Sequence, residues 1–178
     1  MSRSETTRDR LLHHARTLLW THGYSNVSLR QIAAAAGVDV ALIARYFGSK
    51  RGLFEATLDG AFDLPPVTSE TALVDMVVAL FTTSPCGETA PTVLQLLLMN
   101  AHDEQVGGAV RAAHHTGMQS RLDRLLGDPR RAALFMAAVL GMSVAEKSLR
   151  LPGIGPHDTH DYAAQLRHML GAALSFAR

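Results

Sequence analysis

The chain has 178 residues, of which 47% are hydrophobic, and a formal net charge of +1. This length can bury a substantial core, while no apolar run is long enough to span a membrane and no secretory signal opens the sequence. The only cysteine, Cys86, excludes an intramolecular disulfide framework and is typical of a reducing compartment, so we expect a cytoplasmic protein.

Alanine is abundant, whereas β-branched runs and Asn-Gly turns are nearly absent, so the sequence predicts an all-α fold. Pro65 and Pro66 indicate a boundary between an N-terminal domain at 1–62 and a C-terminal domain at 63–178. The first part holds eight basic against five acidic residues, a balance of +3, and the second nine against eleven, a balance of −2. The basic excess of the first domain supports binding to nucleic acid.

The first predicted helix extends from about Thr6 to His22. Thr6 and Asp9 have the spacing of a capping box, and Gly23 ends the helix. Arg8 and Arg10, both near its start, could approach DNA, although a solvated face is the simpler interpretation. Apolar residues at helical spacing predict a buried stripe, which consists of Leu11, Leu12, Ala15, Leu18 and Leu19.

Two short predicted helices follow, separated by a glycine turn. Ser28 and Gln31 have the spacing of a capping box for the first helix, and Gly37 can adopt the left-handed conformation that ends it. Asp39 can cap the second helix, which runs to about Phe47. This arrangement is typical of a helix-turn-helix, whose second helix enters the DNA major groove.

The second of these helices has one face for the core and another for a partner. Ile43 and Phe47 lie one turn apart and should be buried, which leaves Ala41, Leu42 and Arg45 on the opposite side. Short apolar side chains can contact thymine methyl groups, and an arginine can reach guanine or a phosphate.

A further helix is predicted from about Lys50 to Phe62, with Ser49 at its start. A helix N-terminus beside a lysine is a natural site for a backbone phosphate. The alternative interpretation is that these are short packed helices with a solvated arginine and lysine, and the residues alone leave both open.

Five helices are predicted beyond Pro66. Their approximate bounds are Glu70–Thr82, Pro91–Asp103, Val106–Leu126, Pro129–Leu149 and, after the cap Asp158, a last helix to Phe176. The segments 84–87 and 152–156 interrupt them. The two final helices combine many small residues with bulky apolar ones. They can pack within one chain, or they can form a dimeric four-helix bundle with two helices from each chain.

Nine histidines raise the question of a metal or catalytic site. His13 and His14 are adjacent on a helix and point apart, and His114 and His115 are also adjacent; the sequence contains no His-Glu-x-x-His motif. A nucleophile elbow, a phosphate-binding loop and a dinucleotide fingerprint are also missing. We therefore expect no catalytic residues, no metal and no cofactor, with a small helical enzyme as the less favoured alternative.

The segment from Leu11 to Leu58 resembles the DNA-binding domain of the tetracycline-repressor (TetR) family of bacterial regulators. The matching residues are Ala15, Thr21-His22-Gly23-Tyr24, Val27-Ser28-Leu29-Arg30-Gln31-Ile32-Ala33, Ala36-Gly37-Val38, Tyr46-Phe47-Gly48-Ser49-Lys50 and Leu53-Phe54.

The resemblance implies two kinds of DNA contact. Phosphate contacts are expected at Ser28, Tyr46 and Lys50. Base or near-base contacts are expected at Arg30, Val40, Ala41 and Leu42. Ala44 departs from the family pattern, in which a tyrosine that touches DNA is common, so Arg45 is expected to carry more of the contact.

The same resemblance implies a homodimer that forms through the last two helices and binds a palindromic operator. It also implies an effector pocket in the C-terminal domain, for a small and largely hydrophobic ligand. The candidates for this pocket are polar or soft groups on otherwise apolar helices: Gln95, Met99, Asn100, His102, His114 and Met118. Each of them can equally be a capping or solvent-facing group.

We therefore interpret the chain as a cytoplasmic bacterial transcription repressor that binds double-stranded DNA as a homodimer and responds to a ligand. The alternative is an all-α protein-interaction module, which would keep the fold but show no salt-dependent binding to duplex DNA.

Overall fold

The computed structural model describes residues 3–63, 65–83, 92–154 and 160–176. Within these ranges all regular secondary structure is helical, which confirms the all-α prediction. The ten α-helices of these ranges are α1 (Arg3–His22), α2 (Leu29–Ala36), α3 (Ala41–Phe47), α4 (Lys50–Leu58), α5 (Glu70–Thr83), α6 (Val93–Asn100), α7 (Gly107–His114), α8 (Ser120–Leu126), α9 (Pro129–Ser143) and α10 (His160–Leu174). Cys86, the predicted cap Asp158 and the loop at 84–87 lie outside the described residues.

The helices belong to two compact units. The first unit, with described residues 3–63 and 92–115, holds α1 to α4, α6 and α7. The second unit, with described residues 65–83, 116–154 and 160–176, holds α5 and α8 to α10. A division of the sequence at residue 62 places α6 and α7 with the C-terminal part, whereas in the structure α6 packs on α1 and α7 on α4. The functional division at 62 therefore stays a prediction.

In the first unit, α1 is the central helix and packs against α2, α4 and α6. Leu11, Ala15 and Leu19 of the predicted stripe are fully buried, whereas Leu12 and Leu18 are only half-buried. The buried face also includes Trp20, which is not part of the predicted stripe.

A buried polar chain joins α1 to α4. Trp20 Nε1 donates to Thr57 Oγ1 at 3.0 Å, and Thr57 Oγ1 donates to the Phe54 carbonyl at 2.6 Å. Arg16 donates to the Thr57 carbonyl at 3.1 Å and lies 5.0 Å from the Trp20 ring. Thr57 is fully buried, and these hydrogen bonds satisfy its hydroxyl without water.

Two predicted helices are shorter in the structure, and local chemistry explains both ends. α4 ends at Leu58 instead of Phe62, because Gly60 adopts the left-handed conformation at φ +68°. Phe62 is nevertheless buried. A buried apolar residue just beyond the end of α4 explains why the sequence pattern predicts a longer helix. α6 ends before Asp103, whose carboxylate instead accepts hydrogen bonds from the backbone of Gln105 and Val106.

Two predicted helices contain π-helical turns that the sequence pattern did not reveal. One lies at His115–Gln119, between α7 and α8, and the other at Val144–Ser148, after α9. The predicted capping of α9 is confirmed, because the Asp128 carboxylate accepts from the Arg130 N–H at 2.8 Å and Pro129 occupies the first turn.

The second unit has α10 packed on both α5 and α9, with α8 against α9. Its buried apolar residues include Leu73, Leu122, Phe135, Leu166 and Leu170. One buried cation, Arg131, connects three helix ends. The residue is only 8% exposed.

The guanidinium of Arg131 donates hydrogen bonds to three residues. It donates to the carbonyls of Leu126 at 2.9 Å and Leu174 at 2.8 Å, and to the Glu70 carboxylate at 2.9 Å. A positive charge at the carboxyl ends of α8 and α10 also interacts favourably with their dipoles.

None of the described helices combines the length and the apolar character that crossing a membrane would require. The described part of the chain also contains no group of three or more histidine, cysteine or acidic side chains placed to hold a metal ion.

Candidate nucleic-acid interface

The turn between α2 and α3 is built as the sequence predicts. Ser28 Oγ accepts from the Gln31 N–H at 3.3 Å, and the Gln31 side chain accepts from the Ser28 N–H at 2.7 Å. This reciprocal pair is the predicted capping box. Gly37 follows α2 at φ +64° and ψ +41°, so the predicted left-handed end of the helix is confirmed.

Asp39 fixes the start of α3. Its carboxylate accepts from the Ala41 N–H at 2.7 Å, and its carbonyl accepts from the Leu42 N–H at 3.1 Å. Ile43 is fully buried, as predicted, while Phe47 is half-buried. Val40 occupies the N-cap position and has no side-chain cap bond, so α3 is held by its apolar side and by the Asp39 hydrogen bond one residue before the cap.

The opposite side of α3 is exposed, and we call it the recognition face: Val40, Ala41, Ala44 and Arg45. Val40 is 39% exposed, so the face includes accessible apolar surface beside the guanidinium. Apart from the Arg45 guanidinium, the side chains of this face are short and apolar, so a partner could approach the helix backbone closely.

The remaining predicted contact residues surround this face. Ser28 and Arg30 are exposed at the start of α2, while Leu42 and Tyr46 are half-buried on the flanks of α3. The Tyr46 ring packs edge-to-face on Phe47, with centroids 6.4 Å apart.

Lys50 has a different environment from the one that a simple phosphate contact requires. Its Nζ donates to the Tyr24 carbonyl at 2.6 Å and lies 4.2 Å from the centre of the Tyr24 ring. Burial lowers the pKa of the Lys50 ammonium, while the nearby Asp103 carboxylate raises it. The ammonium must leave this carbonyl, or share its donors, to bind a phosphate.

The corner between α3 and α4 requires glycine at position 52. A Cβ there would lie 2.2 Å from the Phe47 carbonyl oxygen, closer than any side chain tolerates. Ser49 caps α4 by accepting from the Gly52 N–H at 3.0 Å, which confirms the predicted start of that helix. Close packing at this corner fixes Lys50 relative to α3.

Two family models match the sequence of this chain. The model of bacterial regulatory proteins of the tetR family matches residues 11–57, and the model of the tetracyclin repressor-like C-terminal domain matches residues 70–174. The chain belongs to the TetR family. It is a DNA-binding transcription regulator.

Solved structures share the fold of this TetR-family regulator. NalD, the secondary repressor of the MexAB-OprM multidrug efflux pump in Pseudomonas aeruginosa, has a TM-score of 0.70 at 24% identity, over 98% of this chain and 100% of that chain. HlyIIR, a hemolysin II transcriptional regulator, has a TM-score of 0.65 at 16% identity, over 95% of this chain and 97% of that chain. No curated protein matches the sequence. At these identities the likeness establishes the fold.

Two arginines of the TetR-family regulator have structural contacts that the sequence analysis missed. The Arg10 guanidinium donates to the Ala36 carbonyl at the end of α2, and the Arg8 guanidinium lies 5.3 Å from the centre of the Phe47 ring. Both therefore hold α1 against the helix-turn-helix. The exposure of a helix start suggested solvent or DNA, and only the folded arrangement identifies these partners.

The predicted effector residues divide between structural roles and accessible positions. Gln95 completes a capping box with Thr92, and its side chain accepts from the Thr92 N–H at 3.0 Å. Asn100 is fully buried and bonded to backbone groups. Met99 is 38% exposed and His102 is also exposed.

His114 and Met118 complete that set, and both are half-buried. His114 packs edge-to-face on Phe62 at 5.6 Å, and its buried Nε2 has no hydrogen-bond partner among the described residues. Burial lowers the pKa of the His114 imidazole, and the neighbouring His115 lowers it further. Met118 belongs to the second unit, whereas the other five residues belong to the first.

Proposed function

We propose that this TetR-family regulator acts in the cytoplasm as a repressor that binds a palindromic operator as a homodimer, with DNA binding in 1–62 and ligand binding and dimerisation in 63–178. The observation that carries the proposal is the recognition face of α3. A buried Ile43 anchors the helix, and an exposed Arg45 stands among short apolar residues on the other side. Such a surface fits the major groove, in which an arginine can donate to guanine and small apolar groups can contact thymine methyls.

Contacts with the DNA backbone would surround this face. Tyr46 is proposed to donate to a phosphate, and Arg30 to reach a base edge next to it. Ser28 would donate to a phosphate once its hydroxyl, which donates to the Gln31 side chain at 2.8 Å, turns toward the DNA. Lys50 would add one phosphate contact, either by leaving the Tyr24 carbonyl or through the N–H donors that this bond does not use. Phosphate contacts fix the position of the protein on DNA, whereas base contacts give sequence preference.

The dimer is proposed to form through the outward faces of α9 and α10. On α9 the exposed residues Ala133, Ala137 and Gly141 are small, and Leu134 beside them is 41% exposed. On α10 the exposed residues include Gly171 and the small side chains of two alanines, Ala164 and Ala172. Small residues let helices from two chains approach closely in a four-helix bundle. Two-fold symmetry would then match the symmetry of a palindromic site.

The effector is proposed to be small and largely hydrophobic. In the first unit Met99, His102 and His114 retain accessible atoms for it, whereas Asn100 and Gln95 are occupied by backbone hydrogen bonds. Met118, in the second unit, is a separate candidate. A ligand that binds only the conformer unable to engage DNA would shift the population away from the operator-bound state.

The decisive experiment measures binding of the full chain to duplexes from its own promoter region and to random duplexes, at several salt concentrations. A preference of about a thousandfold or more with two protected half-sites supports the proposal. Arg45→Ala should weaken promoter binding by about 1–3 kcal/mol. Arg51→Ala removes the same charge from an exposed pair with Glu55 and should have little effect. Equal, weak binding to all duplexes would refute operator recognition.

A further inference from the structure

The carboxylate of Asp103 lies next to the turn that holds the Lys50 ammonium, and both belong to the first unit. Lys50 Nζ donates to the Tyr24 carbonyl at 2.6 Å, and the hydroxyl of the next residue, Ser25, donates to Asp103 Oδ2 at 2.6 Å. Because Tyr24 and Ser25 are neighbours in the chain, the ammonium and the carboxylate lie within about 10 Å of each other, which is about the Debye length at 0.1 M salt. Salt therefore screens their attraction only in part.

Three donors hold the Asp103 carboxylate in place. The Ser25 hydroxyl occupies Oδ2, and Oδ1 accepts from the backbone N–H groups of Gln105 at 2.9 Å and Val106 at 3.1 Å. Desolvation raises the pKa of Asp103, but these hydrogen bonds together lower it by more, so the net shift is downward. The group is therefore a fixed negative charge at neutral pH.

The Lys50 ammonium experiences this charge. Desolvation lowers the pKa of Lys50, whereas the Asp103 carboxylate raises it, as an attractive opposite charge does. An ammonium that already interacts with a carboxylate presents less positive potential to a third group. The same carboxylate would also repel a phosphate that approaches Lys50. Asp103 is therefore placed to weaken a phosphate contact at Lys50.

We propose that Asp103 competes with the DNA phosphate for Lys50 and thereby lowers the affinity of this regulator for every duplex by a similar factor. Phosphate contacts carry no sequence information, so the competition reduces non-specific binding and leaves base preference unchanged. This inference rests on the proposed DNA contact of Lys50. It adds a residue outside the helix-turn-helix, on the turn between α6 and α7, that sets the strength of that contact.

Asp103→Asn removes the charge and can keep the hydrogen bonds, since the amide oxygen can accept from Gln105 and Val106 and the amide nitrogen can donate to Ser25. We expect the full chain to bind its promoter duplex and a random duplex about threefold to tenfold more tightly at about 0.1 M salt. Damage to the fold would weaken binding, so a gain reports the charge. Glu104→Gln is the matched control, because it removes the same charge from the exposed neighbouring residue and should change the affinity by less than about twofold.

A double-mutant cycle with Lys50→Gln shows whether the effect acts through Lys50. In the Lys50→Gln background, Asp103→Asn should change the affinity by less than about twofold, because the cation for which the carboxylate competes is gone. Unchanged or weaker binding of Asp103→Asn in the parent background would overturn the proposal. An equal gain in both backgrounds would also overturn it, because it would mean general repulsion of DNA.

A second measurement needs no DNA. The chain has only two lysines, Lys50 and Lys147, so the ¹³C NMR signals of labelled lysine side chains can be assigned with Lys147→Gln. Asp103→Asn should lower the pKa of Lys50, because the attractive carboxylate is removed, and Glu104→Gln should leave it unchanged. An unchanged Lys50 titration in Asp103→Asn would overturn the inference.

The two sets of data distinguish this inference from the proposed function. If the parent chain bound no duplex, operator binding would fail, and the competition for phosphate would fail with it. If the parent chain preferred its promoter duplex and Asp103→Asn gave no gain in affinity, only the inference about Asp103 would fail.

Discussion

The side-chain amide of Asn100 is hydrogen-bonded to the backbone of Tyr24, 76 residues earlier in the chain. Its Oδ1 accepts from the Tyr24 N–H at 2.7 Å. Its Nδ2 donates to the Leu19 carbonyl at 3.1 Å, near the end of α1. Because Asn100 is fully buried, water cannot replace these bonds. One asparagine on α6 thus fixes the turn that leads from α1 into α2.

Asn100→Ala should therefore lower the free energy of unfolding by about 1–3 kcal/mol, because the buried Tyr24 N–H loses its acceptor. The Leu19 carbonyl loses one donor and keeps the Gly23 N–H at 3.0 Å. Urea unfolding followed by circular dichroism measures this. Asn26→Ala is the control, since the exposed Asn26 amide donates to the His22 carbonyl at 2.9 Å and water can replace it. If both variants were equally stable, Asn100 would not be structural, and its predicted role in effector binding would regain weight.

The helix-turn-helix could be predicted from sequence because its signals are local. The Ser28–Gln31 capping box, the left-handed Gly37 and the Asp39 cap each depend on residues two to four positions apart. Backbone conformation and neighbouring side chains decide such features, so a sequence pattern contains the whole cause.

The contacts that hold this element in place could not be predicted in the same way. Arg10 bonds to a carbonyl 26 residues away, and Lys50 bonds to one at the same separation. The sequence shows that these cations exist near a helix start, but their partners depend on how α1 and α4 pack. The exposed appearance of both residues therefore favoured solvent or DNA over the protein's own backbone.

Arg131 gives a second stability prediction. Arg131→Met keeps most of the packing but removes donors to Leu126 and Leu174 and leaves Glu70 without this cation. We expect a loss of about 2–4 kcal/mol, somewhat below the usual cost for a fully buried pair because Glu70 is 29% exposed. Arg130→Met removes a solvent-screened pair with Asp128 and should have a much smaller effect than Arg131→Met. Similar urea midpoints for the two variants would contradict a special role for Arg131.

Lys50 and Arg30 should affect DNA binding in different ways. Lys50→Ala should weaken binding to all duplexes and reduce the salt slope by about 1, as expected for one lost phosphate contact. Arg30→Ala should instead cost about 1–3 kcal/mol at one base position. Binding isotherms at several salt concentrations, with single-base operator variants, separate the two effects.

Two results would change this assignment. An unchanged salt slope in Lys50→Ala would remove Lys50 from the phosphate contacts. An unchanged base preference in Arg30→Ala would remove Arg30 from the base contacts. Arg51→Ala serves as control for the loss of one exposed charge next to Lys50.

Gly141→Arg tests the proposed dimer. Gly141 is exposed on α9, and no heavy atom lies within 4 Å of a Cβ built there, so the monomer should accept the substitution. In a dimer the arginine would be buried between helices, which should weaken association by about 3 kcal/mol or more, over a hundredfold. Gly108→Arg on α7 has equally open space and is the control. Sedimentation velocity should show a monomer for Gly141→Arg alone; a persistent dimer would place the interface elsewhere.

His114 predicts a dependence of stability on pH. Burial and the adjacent His115 lower the pKa of His114 in the folded chain below the value of about 6.5 in the unfolded chain. The unfolded state therefore binds more protons in the interval below 6.5, so the free energy of unfolding should fall as the pH decreases from about 7.5 to 5.5.

His114→Gln removes this titration and should show a smaller fall. His102→Gln changes an exposed histidine of the same unit and should behave like the parent chain. Urea midpoints at both pH values measure the difference. If His114→Gln and the parent chain lost the same stability, protonation of His114 would not be the cause, and the Phe62–His114 contact would tolerate the charged ring.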